Sequence, residues 1–161
     1  NSALLILVFG FSFTLKSEIN YSFSFESFNK GLISFNKIKS EKSIIIYNDI
    51  YSCIDCKKSY ARYFSKKRFK SSKIYILIKG NGGVLYQRSI YNEWLALLKC
   101  DFTLLFLPQN KSPLETNNLA MTPHLFLFNS SHEIQVKLND FLDVNNKIIK
   151  LTDLKIRAFL K

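Results

Sequence analysis

Glycine and proline are scarce in this chain, five and three among 161 residues, and neither a repeat nor a low-complexity tract is present. Collagen-like and disordered classes are excluded on that composition. Hydrophobic residues make up 47% and aromatics 15%, which supplies a packed core for one domain of ordinary size. Cysteine is equally thin, at three residues, so folding must rest on burial and not on a disulfide scaffold. Acidic side chains are few beside basic ones, 12 against 23, leaving a net charge of +11. Such an excess suits a nucleic acid or an anionic membrane when it forms one stripe. Lys57, Lys58, Arg62, Lys66, Lys67, Arg68, Lys70 and Lys73 do cluster, but Tyr60, Ala61, Phe64 and Phe69 interleave as on an amphipathic helix followed by a turn. The cluster therefore reads as a solvated outer face. No zinc-finger spacing or RNA-binding signature accompanies it, and no nucleic-acid partner is expected.

Long hydrophobic runs are also missing. The stretch NSALLILVFGFSF, residues 1–13, is short for a bilayer span but has the length of a signal-peptide core. Residues 1–17 are expected to be a signal peptide or a membrane-associated segment, with residues 18–161 forming the folded domain in an extracytoplasmic compartment. A buried N-terminal strand is the competing reading. No Cys precedes Cys53, so no lipid-anchored cysteine is expected in the run.

What is present is a succession of strands and helices. Ile19, Tyr21, Phe23 and Phe25 alternate as on a half-buried strand, Asn29-Lys30-Gly31 supplies a turn, and residues 32–35 can return as a hairpin arm, followed by a polar stretch at 36–42. SIIIY (43–47) and KIYILI (73–78) read as strands buried on both faces, the second stopped at Gly80. Between them lies a segment of helical spacing with Tyr60 and Phe64 inward. Ser89 is expected to cap a helix carrying Ile90, Trp94, Leu95, Leu97 and Leu98. Residues 102–107 form a third apolar strand. Residues 124–128 and 134–138 form a hairpin around Asn129-Ser130-Ser131, and Leu151, Leu154, Ile156 and Phe159 suit a closing helix. This order implies an α/β fold with a mixed central sheet flanked by helices and an N-terminal β-hairpin.

The chemistry-bearing feature is Cys53-Ile54-Asp55-Cys56, opening the first of those helices. Two intervening residues bring the sulfurs within bridging distance when the first Cys sits at a helix N-terminus and the second one turn in. Free N–H groups and the helix dipole favour a thiolate at the first position, so Cys53 is the expected nucleophile and the more buried Cys56 the resolving thiol. The spacing alone also fits an inert structural disulfide or half of a zinc site. Only Cys100, His124 and His132 remain as further ligands, and they do not complete a second pair; neither a metal nor another cofactor is expected. Asp55, between the sulfurs, is expected to tune the pair by opposing thiolate formation, with Lys57 and Lys58 acting in the other direction.

With these pieces in order the chain resembles the thioredoxin superfamily, in its redoxin or TlpA/ResA-like branch of exported thiol–disulfide oxidoreductases. The resemblance spans residues 23–138: the leading hairpin SFSFESFNKGLISF, SIIIYND running into YSCIDC, KIYILIKG, and MTPHLFLFNSSHEI. It implies a thioredoxin-like fold whose partners are protein thiols and disulfides together with an electron donor. It also places Thr122-Pro123, as a cis-prolyl pair, against the Cys pair to bind substrate backbone. The chain departs from the pattern at Ser52, where the family commonly has Trp, and at Tyr47, where many thioredoxins bury an acid six residues before the first Cys. The Thr that precedes a peroxidatic Cys by three residues is replaced by Ile50, so peroxidase activity is not expected. A non-catalytic thioredoxin-fold binding module with a fixed Cys53–Cys56 disulfide is the alternative function. His124 is expected to fill space at the start of its strand, His132 to lie in a solvated turn and Cys100 to be a small buried hydrophobe.

Overall fold

A computed structural model describes residues 23–48, 53–66, 69–80, 82–107, 124–130, 132–143, 145 and 147–161. The expected N-terminal segment and Thr122-Pro123 lie outside them. β1 (Ser24–Ser27), which buries Phe25 and Ser27, and the return strand β2 (Gly31–Ser34) pair antiparallel, and Gly31 takes the positive φ of 69° that closes the turn. The β-branched run 43–48 forms β3 (Ser43–Asn48), buried at every position, as expected of an interior strand. β4 (Lys73–Lys79) and β5 (Thr103–Leu107) lie parallel to it, and β6 (His124–Asn129) and β7 (His132–Val136) close the other side antiparallel. The mixed seven-stranded sheet has the order β2-β1-β5-β4-β3-β6-β7, in agreement with the expected α/β architecture and its N-terminal hairpin.

Helices cover both faces. α2 (Ile54–Phe64) connects β3 to β4 and α3 (Val84–Leu98) connects β4 to β5, while α4 (Leu138–Phe141) and α5 (Lys150–Phe159) follow the last strand. Ile44, Ile46, Ile76, Ile78 and Leu104 pack with Tyr60, Phe64, Trp94, Phe141 and Ile156 in the larger core layer. The opposite layer holds Ile45, Tyr47, Leu77, Leu105, Phe126 and Phe128 against α1 (Phe35–Ser40). Adjacent residues of β3 thus feed different layers, which is the period-2 geometry of a strand. Because β3 to β5 are parallel, their C-terminal ends share one rim of the sheet, and α2 starts at that rim.

Five sequence expectations need correction. The stretch 36–42 contains α1, because Ser34 Oγ accepts the Lys37 N–H and Phe35 and Ile38, three apart, bury one stripe. Ser89 lies inside α3; the helix begins at Val84 with Gly83 as its cap, and Leu95 faces outward. In α5 the buried positions are Thr152 and Ile156, whereas Leu151 and Leu154 are exposed. His132 opens β7, paired with Asn129, so only two residues turn the hairpin, Ser130 having φ 58°. Lys57, assigned to the solvated face, is buried.

Phe141 ties this layer together, stacking on Tyr60 at 4.3 Å and meeting Tyr63 edge-on at 5.3 Å. Replacing it with Ala removes a fully buried ring whose neighbours come from other helices, so unfolding in denaturant should show a loss of about 3–5 kcal/mol. A loss below about 1 kcal/mol would mean that α4 does not close the core.

Candidate active site

α2 follows β3 in the chain, and Cys53 occupies its cap position (φ −49°, ψ 122°). A cap normally uses a Ser, Thr, Asp or Asn oxygen to accept an N–H from the first turn. Here a sulfur does so: Cys53 Sγ accepts the Cys56 backbone N–H at 3.4 Å. The Cys53 carbonyl meanwhile receives the Lys57 N–H at 3.1 Å, closing the first turn. One residue of this turn therefore faces water while the other is drawn into the core. Cys53 is exposed and Cys56 is buried among Tyr60 and the β3 isoleucines; both are thiols in this structure.

That asymmetry separates their acidities. Hydrogen bonding from the Cys56 thiol, then from the Cys56 backbone N–H, lowers the Cys53 pKa below its ordinary value, against a smaller opposing effect of burial. The Asp55 backbone N–H adds to the lowering, and the Asp55 charge opposes it as the smallest of the influences. Burial, followed by the hydrogen bond to Cys53 and the charge there, pushes the Cys56 thiol up to about 12. The pair thus holds the Cys56 proton tightly and the Cys53 proton less tightly than an ordinary thiol does.

The charges around the pair are already committed. Asp55 is 65% exposed in its side chain and lies 3.6 Å from Lys58, a surface pair worth no more than about 1 kcal/mol. Lys57, directly after Cys56, buries all but 6% of its side chain and meets Glu93 of α3 at 3.1 Å. Lys57 is thus a brace between two helices and not a mobile counter-charge. Its burial had a sequence signal: it lies three and four residues before Tyr60 and Ala61, on the apolar stripe of α2. A second polar group escaped the sequence reading. Tyr47 turns into the α1 layer, so the buried polar side chain on the α2 face of β3 is Asn48, five residues before Cys53 and in register with Ile78. Its Oδ1 has no hydrogen-bond partner among the described residues.

Of the other chemistry-bearing residues, His124 is buried and stacks on Phe126 at 5.0 Å, in the layer of Tyr47 and away from α2. His132 is exposed. Cys100 follows the end of α3, half-buried, its thiol pushed up by burial and by the Asp101 charge. Cys100 and His132 lie toward the end of the sheet opposite Cys53.

Neither a protein-family model nor a curated protein matches the sequence. Solved structures do. The thioredoxin domain of a Bacteroides vulgatus thiol-disulfide oxidoreductase is 15% identical, with a TM-score of 0.58 over 86% of this chain and 93% of that one. The chain has a thioredoxin-like fold. Two further thioredoxin-like neighbours are a secreted Mycobacterium tuberculosis disulfide oxidoreductase, homologous to Escherichia coli DsbE, and DsbF of the same organism. Each is 10% identical; the TM-scores are 0.56 and 0.58, over 88% and 91% of this chain and 98% and 100% of theirs.

Two measurements check the geometry of this site. Alkylation of the reduced protein, followed by peptide mapping, should modify Cys53 first, with a rate that stays high to lower pH than for an ordinary thiol, since its thiolate survives there. Prior labelling of Cys56 or Cys100 would reverse the assignment. For the brace, Glu93→Ala leaves the Lys57 ammonium buried without its partner, whereas Lys57→Met removes the charge and keeps the apolar stem. Thermal or denaturant unfolding should find the first change the costlier, by about 1–3 kcal/mol.

Proposed function

We propose that this chain is an exported thiol–disulfide oxidoreductase that reduces or exchanges disulfides in protein partners through Cys53 and Cys56. The observation that carries the reading is the split character of the pair: an exposed sulfur with a lowered pKa at a helix start, one turn from a buried sulfur whose proton is held. An inert staple has no need of such a difference. The length and position of the apolar run 1–13, and a neighbour described as secreted, favour export. The described residues contain no helix long and apolar enough to cross a membrane.

In the reducing direction, the Cys53 thiolate attacks one sulfur of a partner's disulfide. A bond forms between Cys53 and that sulfur, the partner's S–S bond breaks, and its second sulfur leaves as a thiolate that takes a proton. Cys56 then gives up its proton and attacks Cys53 Sγ, and the partner departs with its second thiol restored after protonation. The partner has gained two electrons and two protons; Cys53 and Cys56 have lost them and share a disulfide. A dithiol electron donor resets the pair by the same exchange in reverse. The high pKa of Cys56 makes its deprotonation the harder step near neutral pH. Thr122 and Pro123 are assigned to hold the partner's backbone beside Cys53, on the strength of their position directly before β6.

Asp55 is assigned the tuning role. Its carboxylate disfavours a neighbouring thiolate and so stabilises the oxidised pair, lowering the reduction potential. Its exposure and the Lys58 ammonium at 3.6 Å reduce the effect. Asp55→Asn should therefore raise the potential by no more than about 30 mV, which equals about 1.4 kcal/mol for two electrons, and lower the Cys53 pKa. A fall in potential would give the electrostatics the wrong sign.

The main test is covalent trapping. Cys56→Ser cannot resolve the mixed disulfide, so it should accumulate partner adducts on Cys53 that dithiothreitol releases, while Cys53→Ser accumulates none. Equal trapping by both variants, or by neither, would reject the assignment of Cys53 as nucleophile.

A further inference from the structure

At the end of the sheet opposite the Cys pair, the N-terminal ends of β4 and β5 and the C-terminal ends of α2 and α3 surround an open cleft of about 650 Å³. An eleven-residue helix, about 16 Å long at 1.5 Å per residue, separates it from Cys53. Six lysines line it: Lys30, Lys37, Lys66, Lys70, Lys73 and Lys99. They come from the β1–β2 turn, α1, the first position of β4, and the segments that follow α2 and α3, so they converge from separate segments and do not form one stripe.

Opposing charge is too small to neutralise them. Asp101 is the only carboxylate of the lining among the described residues. Glu41, beside it, takes Lys73 at 2.7 Å and the Tyr75 hydroxyl at 3.3 Å. Two helix C-termini add about half a negative charge each. Against six ammonium groups this leaves about three positive charges, in a recess where low-dielectric walls concentrate the field. Lys30 also donates to Thr103 Oγ1 at 3.2 Å, and Lys66 lies over the Tyr63 ring at 5.6 Å. Lys37, Lys70 and Lys99 have no ion-pair partner among the described residues. Lys99 sits there despite a left-handed backbone, φ 52°, that a glycine would adopt more easily.

We infer that this cleft binds a soluble small molecule bearing two or more phosphate groups. The volume fits a small ligand, and lysines that converge on one recess from separate segments suit a compact polyanion better than a flat membrane surface. Several ammonium groups lining one recess suit a polyanion better than a single charge. The site is independent of the redox pair.

The lining also holds a reporter, since Cys100 is part of it and Cys53 is not. Inorganic tripolyphosphate titrated into the reduced protein in a calorimeter should saturate at one per chain, weaken as salt is raised, and bind at least tenfold more tightly than sulfate. In alkylation mapped by peptide, saturating tripolyphosphate should slow labelling of Cys100 several-fold and leave Cys53 unchanged. The variant Lys37→Gln/Lys70→Gln/Lys99→Gly removes three exposed charges, the last at a position whose backbone suits glycine. With an unchanged melting temperature it should lose tenfold or more in affinity and lose the protection of Cys100, while the Arg variants at 37 and 70 retain both. No saturable binding, undiminished binding by the triple variant, or unprotected Cys100 would overturn the proposal. So would adsorption to phosphatidylcholine vesicles containing one-fifth phosphatidylglycerol in the absence of tripolyphosphate binding, which would assign the lysines to a lipid surface.

Discussion

Everything proposed for the Cys pair depends on one contact, the acceptance of the Cys56 N–H by Cys53 Sγ at the first turn of α2. A helix start leaves backbone N–H groups without partners, and a side chain that caps them must stay at the helix end. Using a sulfur as the cap therefore holds Cys53 in water. The 3.6-residue period carries Cys56 round to the face that packs on β3. The two thiols acquire opposite surroundings from one local geometry, and their acidities diverge accordingly.

That geometry is only as firm as the seat of α2. Tyr60, Tyr63 and Phe64 embed its inner face, and Phe141 of α4 stacks on Tyr60 and Phe64 and meets Tyr63 edge-on. Two polar links add direction. The Tyr63 hydroxyl donates to Asp153 of α5 at 2.7 Å, and Lys57 reaches Glu93 of α3. The second link lies one residue from Cys56, so the ion pair fixes the height of the buried thiol relative to α3. Ion pairs of this kind add little net stability over apolar substitutes but penalise misplacement heavily.

Much of the fold was legible because the patterns are strong. The run 43–48 and the Gly31 and Gly80 turns state their structure in a few residues, and the C-x-x-C spacing locates the helix start. What was illegible depends on partners distant in sequence. Lys57 reads as one more exposed cation until α3 brings Glu93, 36 residues away, to its ammonium. Ser89 has the chemistry of a cap, yet Gly83 starts the helix earlier, with Ile90, Trp94 and Leu98 buried against the sheet. Tyr47 and Asn48 could not be assigned to faces before the register with β4 and β6 was known. The lysines of the far cleft come from segments up to 69 residues apart, and only the topology assembles them.

The central claim is that Cys53 and Cys56 exchange between dithiol and disulfide as a working pair and do not form a permanent staple. Equilibrating the protein with glutathione buffers of defined poise, and quantifying both states by mass, gives the reduction potential directly. A value within the range of known exchangers, about −120 to −270 mV, is the expected result. A value below about −300 mV, where structural disulfides lie, would contradict the account.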